Sequence, residues 1–144
     1  MSELRTKVEA MVDQYVKEIG LTKEQTYNAE RRAWYWMRGS ANIEVFVQEI
    51  PMGEYNREFL RVFSPLMKVP KGSELLFYRT LLDLNDSKLG VKITTMEGTD
   101  QVYVTYERDI VGIDYDEVKT CIADLEWWAD ELDDILINQF GGSK

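Results

Sequence analysis

The residues from Asp114 to Phe140 constrain this chain most. Apolar side chains recur there as Val118, Ile122, Leu125, Ala129, Leu132 and Leu136, at intervals of four, three, four, three and four. That spacing draws one continuous stripe down a helix of about seven turns, at roughly 3.6 residues per turn. The opposite face is strongly acidic. Asp114 opens the helix with Glu117 three residues on, the pattern in which each side chain takes the other's backbone amide. Gly141-Gly142 ends it.

The acidity is local. The formal charge is −9 over 144 residues, yet eleven acids and two bases fall between Glu107 and Asp134, and the remainder holds fifteen of each. Nucleic acid needs the reverse, a concentrated positive patch, so the balance argues against that partner. It permits a basic one. In plain surface chemistry the same acids are a solvated helix face that keeps the protein soluble. Apolar residues make up 44% of the chain, which indicates neither disorder nor a membrane class. No apolar run approaches the ~20 residues of a membrane span. The start, MSELRTKVEA, lacks a signal-peptide core. The expected location is therefore the cytoplasm, without membrane contact, and the lone Cys121 fits a reducing compartment. The length suits one domain, residues 1–144.

Along the chain the hydrophobic period switches. Glu3 to Ile19 reads as an amphipathic helix, with Leu4, Val8, Met11, Tyr15 and Ile19 on one face, Val12 and Val16 beside them, and Gly20 to stop it. Thr22 with Gln25 resembles a capping box for a short extra turn. The period then falls to two. Ala33 to Arg38 puts Trp34 and Trp36 on one side, Tyr35 and Met37 on the other. Asn42 to Ile50 sets Ile43, Val45 and Val47 against Glu44, Phe46 and Gln48. Arg57 to Lys68 sets Leu60 and Val62 among Phe59, Arg61 and Phe63, with Pro65 marking a bend or an edge. The turns at Gly39-Ser40 and Pro51 to Glu54 are short, so these strands form an antiparallel meander.

Glu74 to Asp86 follows as a helix that Ser73 can cap. It carries Leu75, Leu76, Phe77, Tyr78, Leu81, Leu82 and Leu84. A helix apolar nearly all round is expected to be covered on more than one side, by its own domain or by a second subunit. Leu89 to Met96 and Gln101 to Glu107 make a hairpin, with Val91, Ile93, Val102 and Val104 inward and Lys92, Tyr103 and Thr105 outward. The order is α-βββ-α-ββ-α: an α+β fold, an antiparallel sheet with helices packed against it.

Catalytic chemistry is hard to place. The chain has no histidine, which removes the usual general base and the commonest metal ligand. Cys121 neighbours Ile122 and Leu125 on the buried side and reads as a small core residue. No glycine-rich phosphate loop appears. Asp114-Tyr115-Asp116-Glu117 begins like a calcium loop but lacks the central glycine, and reads as a helix cap. Asp130, Glu131, Asp133 and Asp134 read as the solvated face. No catalytic residue, cofactor or metal site is expected.

Aromatic side chains pose the sharper question. Trp128 falls beside Leu125 and Leu132 and is expected in the core. Trp127 falls among Asp124, Glu131 and Asp134. There it either packs against a neighbouring loop or anchors a partner, a role in which tryptophan is enriched. On the sheet, helices can fully cover only one face. Phe46, Phe59 and Phe63, or Tyr35 and Tyr103, then lie on the wetter one. Both faces carry large apolar side chains, so the alternation alone leaves open which face is covered.

Several stretches resemble the YbjN-domain family: Gly39-Ser40-Ala41 between two strands, Val69-Pro70 before a helix, Leu81-Leu82-Asp83-Leu84-Asn85, and Ala129-Asp130-Glu131-Leu132. The likeness runs from about Trp34 to Phe140. It implies a fold similar to the type III secretion chaperones, whose members are typically non-enzymatic, often dimeric, and hold extended segments of client proteins. The leading expectation is a non-catalytic, chaperone-like or regulatory module binding a protein or peptide client, with contacts at Trp36, Phe46, Phe63, Tyr103 and Trp127. The alternative is a homodimer that uses its apolar surface only for self-association. An acid-based hydrolase or ion-binding enzyme comes third, with only the acids to support it.

Overall fold

A computed structural model describes residues 2–87 and 90–142. The helix α1 (Glu3–Glu18) starts where the Ser2 hydroxyl accepts the Arg5 amide, and the chain leaves it through Gly20 at φ +87°. The single turn α2 (Lys23–Thr26) forms both halves of the capping box that Thr22 and Gln25 announce. Then come β1 (Tyr27–Asn28), β2 (Ala33–Arg38), β3 (Ala41–Met52), β4 (Tyr55–Lys68), α3 (Glu74–Ser87), β5 (Lys92–Thr95), β6 (Gln101–Asp109) and α4 (Tyr115–Phe140). Leu89, the expected start of the second hairpin, lies outside the described residues.

The strands form one antiparallel sheet in the order β1-β2-β3-β4-β6-β5. Two-residue loops join Arg38 to Ala41 and Met52 to Tyr55. Each begins with a glycine at positive φ, Gly39 at +59° and Gly53 at +66°, a backbone that fits the sheet twist and that a side chain resists. β4 lies between β3 and β6, where every amide is wanted. Pro65 has none to give, and the pairing shifts register between Pro65 and Met67 to accommodate it.

The stripe of α4 is wholly buried, and α1 adds Val8, Val12 and Val16. Both helices pack on the sheet face that carries Trp34, Trp36, Ile43, Val45, Val47, Leu60, Val62, Val102 and Val104. Burial of each such side chain is worth roughly 1.5–3 kcal/mol, so this face holds the fold together. Asp114 and Glu117 form the complete capping box, so the calcium-like acids serve as a helix cap. Arg108 of β6 pairs with Glu117 and ties the same turn to the sheet.

Three expectations change, and the chain's own elements supply only part of the cover expected for α3. Within this chain α3 is covered on one side only: Phe77 and Leu81 are buried, while Leu75 is 87% and Leu82 66% exposed. Its inner side meets Phe140 of α4, with ring centroids 5.0 Å apart from Phe77. Thr105, expected outside, is buried, paired with Phe63 on one side and Lys92 on the other. Trp128 is half-buried at the margin of the core. Asp133 belongs to the interior, where its carboxylate accepts the Ser40 hydroxyl at 3.1 Å. The close approach of the β2–β3 turn to α4 takes it out of the solvated face.

Candidate protein-binding surface

A buried carboxylate fixes the helical layer to the sheet. Glu126 of α4 is 3% exposed and accepts from two donors, the Tyr15 hydroxyl of α1 and Trp36 Nε1 of β2, the latter at 3.0 Å. One residue thus joins two helices and a strand. Burial, and then the adjacent Glu126 carboxylate, hold the Tyr15 hydroxyl well above its ordinary range, so it stays a donor at neutral pH. Trp36 is 7% exposed and belongs to this clasp. As an expected partner contact it is corrected: its indole faces the core, because β2 turns Trp34 and Trp36 towards the helices. Trp34 likewise donates to Asp13, at 2.9 Å.

Phe46, Phe63 and Tyr103 are brought together on the opposite face. Their rings form a row across β3, β4 and β6, with centroids 5.4 Å apart for Phe46 and Phe63 and 5.6 Å for Phe63 and Tyr103. All three are half-buried. The Arg61 guanidinium lies 4.8 Å from the Phe63 centroid and 5.8 Å from that of Phe46. Glu107 at 3.0 Å and Gln48 at 2.7 Å hold it there, and Glu107 also pairs with Lys92. Beside the row is a depression of about 200 Å³, bounded by Met96 and Tyr103. Chemically this is an aromatic floor with a fixed cation above it.

The two sheet edges differ. On β5 the Asn85 side chain acts as a short strand. Its oxygen accepts the Ile93 amide at 2.6 Å and its nitrogen donates to the Ile93 carbonyl at 3.1 Å. That occupies the edge at Ile93 and joins α3 to the sheet. At the far edge β1 pairs with Ala33 and Trp34 alone. From Tyr35 to Arg38 the outer edge of β2 meets no further strand among the described residues.

Trp127 is 57% exposed and stands on the helical side, away from the aromatic row. Trp128 braces it edge-on, with centroids 4.6 Å apart. The five expected contacts therefore separate into a row of three, one tryptophan on α4, and one inside. Glu126, Asn85 and the stacked Arg61 were not expected. Glu126 had a signal: Ile122, Glu126, Ala129, Asp133 and Leu136 repeat the four-three spacing of the buried stripe. Cys121 is buried, and burial pushes its thiol up, which leaves it inert.

No family model and no curated protein sequence matches the chain. Solved structures do. One chain of the HopA1–SchA chaperone–effector complex is 10% identical, at a TM-score of 0.67 over 93% of this chain and 98% of that one. The Yersinia pestis type III secretion chaperone SycH, in complex with a fragment of YscM2, gives 13% identity and a TM-score of 0.56 over 86% and 98%. YbjN from E. coli gives 11% and 0.56 over 90% of each chain. The architecture is that of the type III secretion chaperone-like α+β fold. YbjN shares it, as the sequence resemblance implies.

Proposed function

We propose that residues 1–144 form one non-catalytic, chaperone-like module of the cytoplasm that holds an extended segment of a client protein. The observation that carries the reading is the aromatic row Phe46–Phe63–Tyr103, on a sheet face that α1 and α4 leave uncovered. An uncovered aromatic row of this kind marks an interaction surface. An extended segment gains main-chain bonds along the free edge of β2 and apolar contact across the face. Chaperone neighbours in complexes with other proteins support the same reading. Capture of unstructured peptides from an array tests it. Phe46→Ala with Phe63→Ala should lower capture about tenfold while the circular dichroism is unchanged. Unchanged capture would overturn the assignment of this face.

Self-association takes a different surface. Leu75, Tyr78 and Leu82 of α3 share one exposed side of the helix, with a pocket of about 300 Å³ between Leu82 and Ile93. A second copy of the chain, docked by its own α3, buries this face in both copies at once. Light scattering should give the mass of a dimer, and a monomer throughout the micromolar range would remove this reading.

A further inference from the structure

Trp127 is absorbed neither by the aromatic row nor by the face of α3. It borders a cavity of about 470 Å³ between α4 and the β2–β3 turn. Asp124 and Asp130 stand three residues to either side of it, on the same helical face, and both are exposed. Arg38 and Gly39 form the facing wall, with Glu126 and Tyr15 in the lining. Two exposed carboxylates thus flank a braced, largely exposed indole, with the Arg38 guanidinium on the facing wall and Glu126 already engaged by Tyr15 and Trp36. Among the described residues no ion pair joins Arg38, Asp124 or Asp130 to another side chain. A Cβ at Gly39 would lie 3.3 Å from Asp130 Oδ1, so the bare turn lets that carboxylate reach the cavity wall.

We propose that this cavity receives an arginine side chain of the client segment, stacked on Trp127 between Asp124 and Asp130. The inference rests on the reading of the chain as a protein-binding module and adds the chemistry of the partner. The charge balance excludes an anion, and an apolar side chain would leave the carboxylates unused. A flat guanidinium answers both features, because it stacks on an indole face and forks to carboxylates, whereas an ammonium does neither as well. Position supplies the second argument. Arg38 ends the free edge of β2 and also lines the cavity. A strand paired to Tyr35 through Arg38 therefore ends at the cavity mouth and can place a side chain there. Arg38 is the internal competitor for the same carboxylates.

The probe is an acetylated, amidated peptide of glycine and serine with one central arginine, compared with otherwise identical lysine and citrulline peptides. The readout is the indole ¹⁵N–H signal of Trp127 in the full chain at low salt, assigned through Trp127→Phe. The arginine peptide should shift it saturably, about fivefold more tightly than lysine, with citrulline inactive. Asp124→Asn with Asp130→Asn should weaken binding about tenfold, and Arg38→Gln should tighten it about threefold. Equal binding of citrulline, or indifference to the two Asp→Asn changes, overturns the inference. If the arginine peptide fails while the Phe46 and Phe63 substitutions still lower capture about tenfold, the cavity assignment falls and the binding module stands. If the peptide binds as described but those substitutions leave capture unchanged, the sheet face falls and the cavity stands.

Discussion

The same three strands, β3, β4 and β6, build two unlike surfaces. Towards the helices they present Ile43, Val45, Leu60, Val62, Val102 and Val104, all buried aliphatics. Away from them they present Phe46, Phe63 and Tyr103 with Arg61 and Glu107, half-covered and salt-bridged. The first surface is closed by the apolar stripes of α1 and α4, with Glu126 clasped to Trp36 at its margin. The second has aromatic rings that cover one another and a cation on top, which keeps it tolerable in water without closing it. One face therefore carries stability and the other is left uncovered by the helices.

The clasp on the closed side offers the largest break. Glu126→Ala strands two buried donors, the Tyr15 hydroxyl and the Trp36 indole, and leaves a cavity, for about 3–5 kcal/mol in denaturant titration. Glu126→Gln keeps the shape and one acceptor, and should cost about half as much. An unchanged midpoint for the alanine variant would mean that Glu126 does not secure the closed face.

β4 permits the comparison within one strand. Leu60, 1% exposed, points to the helices, and Phe63, three residues on, points away. Leu60→Ala should cost about 3 kcal/mol, whereas Phe63→Ala, although it removes more atoms, should cost about 1–2 kcal/mol. Equal losses would erase the distinction between the faces.

The alternation of β2 to β4 makes the sheet readable, and the four-three spacing makes α4 readable, because both periods are local. What escapes is decided at a distance. Trp36 lies on the covered face, but its core role comes from Glu126, ninety residues further on. Glu126 and Asp133 fall in the buried stripe by spacing, yet a carboxylate reads as surface until its donors are known. Those donors sit in α1, β2 and the β2–β3 turn. The two residues of β1 are too few for any period to show. In α3 the apolar circumference is plain, but composition cannot say what covers it. The open aromatic row was legible in part: Phe46, Phe63 and Tyr103 were expected as contacts, whereas the fixing of Arg61 above them requires the pairing of β4 with β6.

Alkaline pH sharpens the same clasp. Tyr15 is raised in the folded state by burial and by Glu126, so its contribution to stability is complete below the ordinary tyrosine range. It is lost as pH rises above about 10, because the unfolded chain releases the proton first. Tyr15→Phe should cost about 1–3 kcal/mol at neutral pH. Its deficit against the parent should shrink above about pH 10. Tyr115, raised by burial and by Glu18, keeps part of the alkaline slope in both proteins. A deficit constant across that range would place the Tyr15 proton outside the clasp.

The smallest effect on stability is expected where the apolar surface is most exposed. Leu75 and Leu82 of α3 lie open to solvent, while Phe77 and Leu81 on the other side of the same helix are buried. Leu75→Glu with Leu82→Glu removes no core contact, and leucine and glutamate are similar in helix propensity, so the folded monomer should shift by no more than about 0.5 kcal/mol. The mass in solution should nevertheless fall from dimer to monomer, since two carboxylates per copy would face their symmetry mates in any joint that α3 makes with itself. Run against Phe63→Ala in the peptide-capture assay, this variant separates the two exposed surfaces. If α3 serves self-association and the sheet face serves clients, the mass changes with the first and capture with the second. A single variant that removes both would show one continuous interface, and the division between closed and open regions would then have to be drawn around the helix as well as through the sheet.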